Sequence, residues 1–193
     1  MSNRAALLIL GLIVVSSCSL AWAEEEKPPM DLPVYPGGSS TWEINMTPDE
    51  LLQMLQAMLT MGGDRLGSLA ELVNPERVAK IFKDVRRIQY LQVNIAQPTA
   101  KLDQIASFYA KKLPSGMWSR VVWLADEQSG FTALYSQPNT DQLYGFRVAT
   151  AKSEGKTIKQ AMVLKIEGRI DYVEAIKMAA ALAAAAQQAA GPK

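Results

Sequence analysis

The chain contains no histidine among its 193 residues. That removes the usual general base of serine and cysteine hydrolases and the commonest metal ligand. Cysteine is nearly absent too, since Cys18 stands alone. A zinc site would then depend on carboxylates, a poor ligand set for that metal. No GxGxxG or P-loop string occurs, and Gly37-Gly38 and Gly62-Gly63 lack the lysine and spacing that phosphate binding needs. Neither sign of charge dominates, with 20 Lys and Arg against 19 Asp and Glu. Long-range attraction to nucleic acid or an anionic membrane is therefore not expected. The apolar run Ala5 to Val15 falls short of the roughly 20 residues that cross a bilayer. No cofactor is expected either.

That run is instead the core of a secretory leader. Met1 to Arg4 is a short polar start with one positive charge, and Ala21-Trp22-Ala23 supplies the small-x-small pattern read by signal peptidase. Residues 1–23 are thus expected to be a signal peptide, and the product to be periplasmic or extracellular. Val15-Ser16-Ser17-Cys18 offers a second processing site because it resembles a lipobox, in which Cys18 would carry lipid and anchor the protein to a membrane. Against lipidation, Leu20 to Ala23 stays apolar past the cysteine and the charge step comes only at Glu24. Cleavage after Ala23 would leave about 170 residues, enough for one domain, without any thiol.

Residues 24–46 read as a spacer. Pro28, Pro29, Pro33, Pro36, Gly37 and Gly38 cannot sustain helix or central strand. Residues 47–190 read as a single domain. Thr47-Pro48-Asp49-Glu50 is a capping box with proline at the first helical position. The helix it opens carries Leu51, Leu52, Met54, Leu55, Met58, Leu59 and Met61, and Gly62-Gly63 is expected to close it. Asn74-Pro75-Glu76 starts a second helix, and Thr99 is expected to cap a third bearing Leu102, Ile105, Ala106, Phe108, Tyr109 and Leu113. Strand alternation appears over 88–95, 118–125, 131–136, 143–150 and 158–167, and the last four are joined by short links rich in turn formers. Asp171 can cap a final helix, with Glu174 placed to complete its box. The expected class is α+β: one antiparallel-rich sheet of about five strands, helices packed on it, and a C-terminal helix.

In the last strand Ile158, Met162, Leu164 and Ile166 share one face, while Lys159, Lys165 and Glu167 point the other way. The strand 118–125 is apolar on both sides. Trp118, Val122 and Leu124 lie on one, and Val121, Trp123 and Ala125 on the other, with Leu134 and Leu143 placed to extend that second patch. Such a patch is either buried, under the methionine-rich helix, or a docking surface. In the docking case Val121, Trp123, Leu134, Met54, Met58 and Met61 would receive a partner, methionine being adaptable enough for the task.

Phe108-Tyr109-Ala110-Lys111-Lys112-Leu113, the tryptophan-bearing strand, Leu143 to Ala149 and the ending Leu164-Lys165-Ile166-Glu167-Gly168-Arg169-Ile170-Asp171 resemble domain-of-unknown-function family 4252 over about Leu66 to Ala181. That resemblance implies an exported bacterial protein, in many members a lipoprotein, and assigns no catalytic residue. Two functions remain in view. One is an exported non-enzymatic domain that binds a protein partner or an apolar ligand at the cell envelope. The other is a carboxylate-dependent hydrolase using Asp126, Glu127 or Glu167, although turn and capping roles already account for these carboxylates and for Asp171.

Overall fold

The computed structural model describes residues 30–66, 74–113, 117–126, 130–153, 156–175 and 177–178. The leader with Cys18, the start of the spacer and the alanine-rich tail lie outside the described residues. The elements run β1 (Gly38–Met46), α1 (Pro48–Leu66), α2 (Pro75–Ile81), β2 (Asp84–Ile95), α3 (Leu102–Lys111), β3 (Ser119–Asp126), β4 (Gly130–Gln137), a 3-10 turn (Pro138–Thr140), β5 (Gln142–Ser153) and β6 (Lys156–Arg169). The chain divides into two compact units: 47–85 with the stretch from 169 onward, and 30–46 with 86–168.

In the first unit both expected caps are in place. The Thr47 N–H donates to Glu50 Oε2 at 2.7 Å and the Glu50 N–H donates back to Thr47 Oγ1 at 3.3 Å. Asn74 Oδ1 accepts from the Glu76 N–H at 2.7 Å. These contacts satisfy donors that the first helical turn leaves without partners. α1 does not close at Gly62-Gly63 but runs on to Leu66, because glycine weakens a helix without forbidding it. Asp171 Oδ1 caps the turn 172–175 by accepting from Val173 and Glu174, whereas the Glu174 carboxylate turns to Lys177 at 2.6 Å rather than completing a box. The Asp171 N–H itself donates to the Ile81 carbonyl at 3.1 Å.

The second unit is built on one antiparallel sheet of six strands, in the order β1-β2-β6-β5-β4-β3. The five expected strands are present, and the sixth, β1, lies in the stretch read as spacer. Gly38 pairs with Ile95 and Met46 with Ile88, with a register shift between Ser40 and Trp42. The prolines that argued for a spacer all precede it. Gly37, at φ +75°, makes the turn into β1, where the Gly38 N–H meets the Tyr35 carbonyl at 2.8 Å. α3 begins two residues later than expected: Pro98 and Thr99 form a turn closed from Ala100 N–H to Gln97 C=O, and Gln104 Oε1 accepts from the Lys101 N–H.

α3 covers one face of the sheet. Ile105, Ala106 and Tyr109 sink into a core made by Leu91, Val93 and Ile95 of β2, Ala161 and Val163 of β6, and Tyr144, Phe146 and Val148 of β5. Each fully buried aliphatic or aromatic side chain here contributes about 1.5–3 kcal/mol relative to exposure. The opposite face is apolar as well, with Ile44, Ile88, Tyr90, Leu143, Leu164 and Ile166 all buried. Strands buried on both sides read as continuous apolar runs, so β6 departs from the expected one-sided pattern at Ala161 and Val163. Beyond those two residues the helix-covered face turns polar at Lys165 and Glu167.

Candidate functional site

Strand alternation and register bring that polar end together. Gln142 lies opposite both Gln137 and Glu167, and Tyr144 lies opposite Tyr135 and Lys165, so all share the helix-covered face. Three irregular pieces stand over them: residues 31–33, Lys112-Leu113 beyond the end of α3, and Met117-Trp118 ahead of β3. Together they line an open-sided cavity of about 270 Å³. Its apolar walls are Leu32, Pro33, Leu113, Met117 and Trp118, and its polar lining comes from Asp31, Lys112, Gln137, Gln142, Tyr144 and Lys165.

The segment in front is pinned on both sides of Pro33. Leu32 is buried in the core, and the Tyr35 ring meets Phe108 of α3 edge-on at 5.3 Å. Asp31 then reaches Lys165, with Oδ2 to Nζ at 2.5 Å, and Glu167 Oε1 approaches the same ammonium at 3.1 Å. The Lys165 side chain is 15% exposed and that of Asp31 52%. Burial opposes both charges, but their shared hydrogen bond and mutual attraction outweigh it. The Asp31 carboxyl is held below its ordinary range and the Lys165 ammonium above its own. Lys165 therefore stays protonated, which gives the cavity a fixed positive charge and denies it an amine nucleophile.

Tyr144 closes the floor. Its ring meets Trp118 at 6.2 Å and a tilt of 66°, a favourable edge contact. Its hydroxyl is fully enclosed and has no protein partner among the described residues. Burial, reinforced by Tyr109 and Tyr135, drives its pKa far above that of free tyrosine, so the group is a neutral phenol. An enclosed hydroxyl without a partner carries an unrecovered desolvation cost. A polar ligand atom or a water would relieve that cost.

Within the second unit, the residues expected to form a docking patch do not share one face. Val121 and Trp123 are exposed, at 57% and 37%. Trp123 pairs with Ala133 and faces Phe131 and Phe146, while Leu134 pairs with Val122. Trp123 and Leu134 thus lie on opposite faces of the β3–β4 pair. The register shift between Arg120 and Val122 leaves Val121 at a bulge, and the Arg120 guanidinium sits 5.5 Å from the Trp123 ring. Met54 is half-buried on α1, in the other unit. The side chains of Met58 and Met61 lie outside the described residues. Of the candidate acids, Glu167 is engaged by Lys165 and Asp171 by its helix cap. The Asp126 side chain and Glu127 lie outside the described residues. Among those described, no group of three or more Asp, Glu, Cys or His converges as a metal site, and no helix is long and apolar enough to cross a membrane.

Sequence reasoning passes over Asp31, as part of a spacer, and places Lys165 only on the strand face opposite Ile158, Met162, Leu164 and Ile166. One signal was available. The face carrying Ala161 and Val163 continues into Lys165 and Glu167 within a single strand, and charge placed in line with core marks a partner or a cavity. No family model, curated protein or solved structure matches the chain. The resemblance to family 4252 therefore rests on the quoted motifs alone.

Proposed function

We propose that the chain is an exported, non-enzymatic domain of the cell envelope whose cavity takes a small, largely apolar ligand. The observation that carries this reading is the cavity of about 270 Å³ beside the buried core, walled by Leu32, Leu113, Met117 and Trp118. Sites for small molecules are concave and mostly apolar, with a few polar groups that orient the guest. A ligand is favoured over a protein partner because Trp123 and Leu134 point to opposite faces and form no single patch. The hydrolase alternative gains no support, since Glu167 is tied to an ammonium that remains charged. Export follows from the leader, with Ala23 and Cys18 as its two processing sites.

Leu113→Trp tests the proposal by placing an indole in the cavity mouth. Binding of decanol, followed by calorimetry, is expected to fall at least about tenfold, which is the loss of about 1.4 kcal/mol. Circular dichroism should show an unchanged fold. Equal binding by a folded Leu113→Trp variant, or no binding by the unsubstituted chain, overturns the reading.

A further inference from the structure

We infer that the cavity is built for an aliphatic carboxylate whose head group takes the place of Asp31 on Lys165. This rests on the ligand-binding reading above and adds the charge of the guest and the side chain it displaces.

The two carboxylates on Lys165 are unequal in status. Glu167 comes from the same strand, two residues on, and its side chain is 23% exposed at 3.1 Å from the ammonium. Asp31 comes from an irregular segment 134 residues away in sequence, and its side chain is 52% exposed. Glu167 is the less exposed of the two, and its place on β6 two residues from Lys165 keeps it beside the ammonium. A carboxylate that hangs from a segment without strand or helix can rotate into water, where its charge is well solvated.

The charges lining the cavity point the same way. Two are ammonium groups, Lys112 and Lys165, and one is a carboxylate, Asp31. With Asp31 swung away, Lys165 keeps Glu167 at 3.1 Å and Lys112 adds a second ammonium at the rim, so the cavity carries a net positive charge. An incoming carboxylate would accept from Lys165 as Asp31 does, so the exchange conserves the charge-assisted hydrogen bond of a largely buried ammonium. What tips the balance is the rest of the guest, whose methylenes replace water against Leu32, Leu113, Met117 and Trp118, each gaining about 0.8 kcal/mol when fully buried. A cavity of about 270 Å³ has room for several methylenes. That corresponds to a chain of medium length.

The test compares decanoate and decyltrimethylammonium below their micellar concentrations, and decanol below its solubility limit, against the unsubstituted chain, Asp31→Asn and Lys165→Gln. Decanoate is expected to bind best. Asp31→Asn should tighten decanoate by about five- to tenfold, because the competing charge is gone, and Lys165→Gln should weaken it by about tenfold. Decanol should respond to neither substitution by more than about twofold. Thermal unfolding of each variant establishes that it is folded. If Lys165→Gln fails to fold, the tightening of decanoate in Asp31→Asn beside unchanged decanol still decides the matter. Decanol binding as well as decanoate, with both insensitive to Asp31, overturns the carboxylate inference while leaving the cavity reading intact. Preference for decyltrimethylammonium does the same, and failure of all three probes to bind overturns both.

Discussion

Asp31 and Lys165 are two ordinary surface-type residues that the fold has made interdependent. The pair's contribution to stability has a definite pH signature. The folded-state pKa of Asp31 lies below its ordinary 3.8. Its contribution is therefore complete well above that value and disappears as the pH falls through the lowered folded one. Lys165 is shifted upward from 10.5, so its contribution is complete below that value and disappears as the pH rises through the raised one. Urea midpoints of the unsubstituted chain and of Asp31→Asn should differ by a constant amount between about pH 5 and pH 9 and converge in acid below the ordinary aspartate range. A difference that persists undiminished at pH 2 would show that Asp31 acts through something other than its charge. The exposure of its side chain keeps the gap small, since water screens one side of the pair.

At the scale of elements, β1 is the part that local sequence concealed. Gly38-Ser39-Ser40-Thr41 is rich in turn formers and follows four prolines, so it reads as spacer until its partner strand is known. As an edge strand it tolerates exposed Ser39, Ser40 and Thr41, while Trp42 packs on Tyr90 at 5.4 Å and Ile44 is 6% exposed. Ile44→Ala should cost about 2–4 kcal/mol in chemical denaturation, the range for truncating a buried aliphatic residue. A spacer residue would change stability by less than about 0.5 kcal/mol, and that result would remove β1 from the folded unit. The caps at Thr47, Asn74 and Asp171 were legible because a cap is a contact between residues two or three apart. The strands of the meander were legible for a related reason, as short links leave hairpins the economical connection. The cavity was not, because Asp31, Leu113, Trp118, Gln137 and Lys165 meet only through the sheet order.

On the scale of the whole molecule, that order also sets where the second unit is firmest. β3 to β6 form a meander whose last strand returns to lie beside β2, with the entire α3–β5 stretch between them in sequence. Local turns specify three of these pairings, whereas the β2–β6 pairing depends on side chains remote in the chain, such as Gln160 donating to Asn94 at 3.0 Å. Loop closure over so long a stretch is costly before the contacts it permits are made. Once made, it places β6 and β5 in the interior of the sheet, with Ala161, Val163, Phe146 and Val148 showing no exposure at all. β3, by contrast, has a strand on one side only and exposes Val121 and Trp123. Backbone amides of β5 and β6 should therefore exchange with solvent deuterium only through unfolding of the sheet, about a hundredfold or more slower than those of β3, which can open locally. Peptide-resolved exchange by mass spectrometry measures this directly. Equal protection of β3 and β6 would mean that the β3 edge is covered in solution, and protection of β3 that drops on dilution would identify the cover as a second copy of the chain.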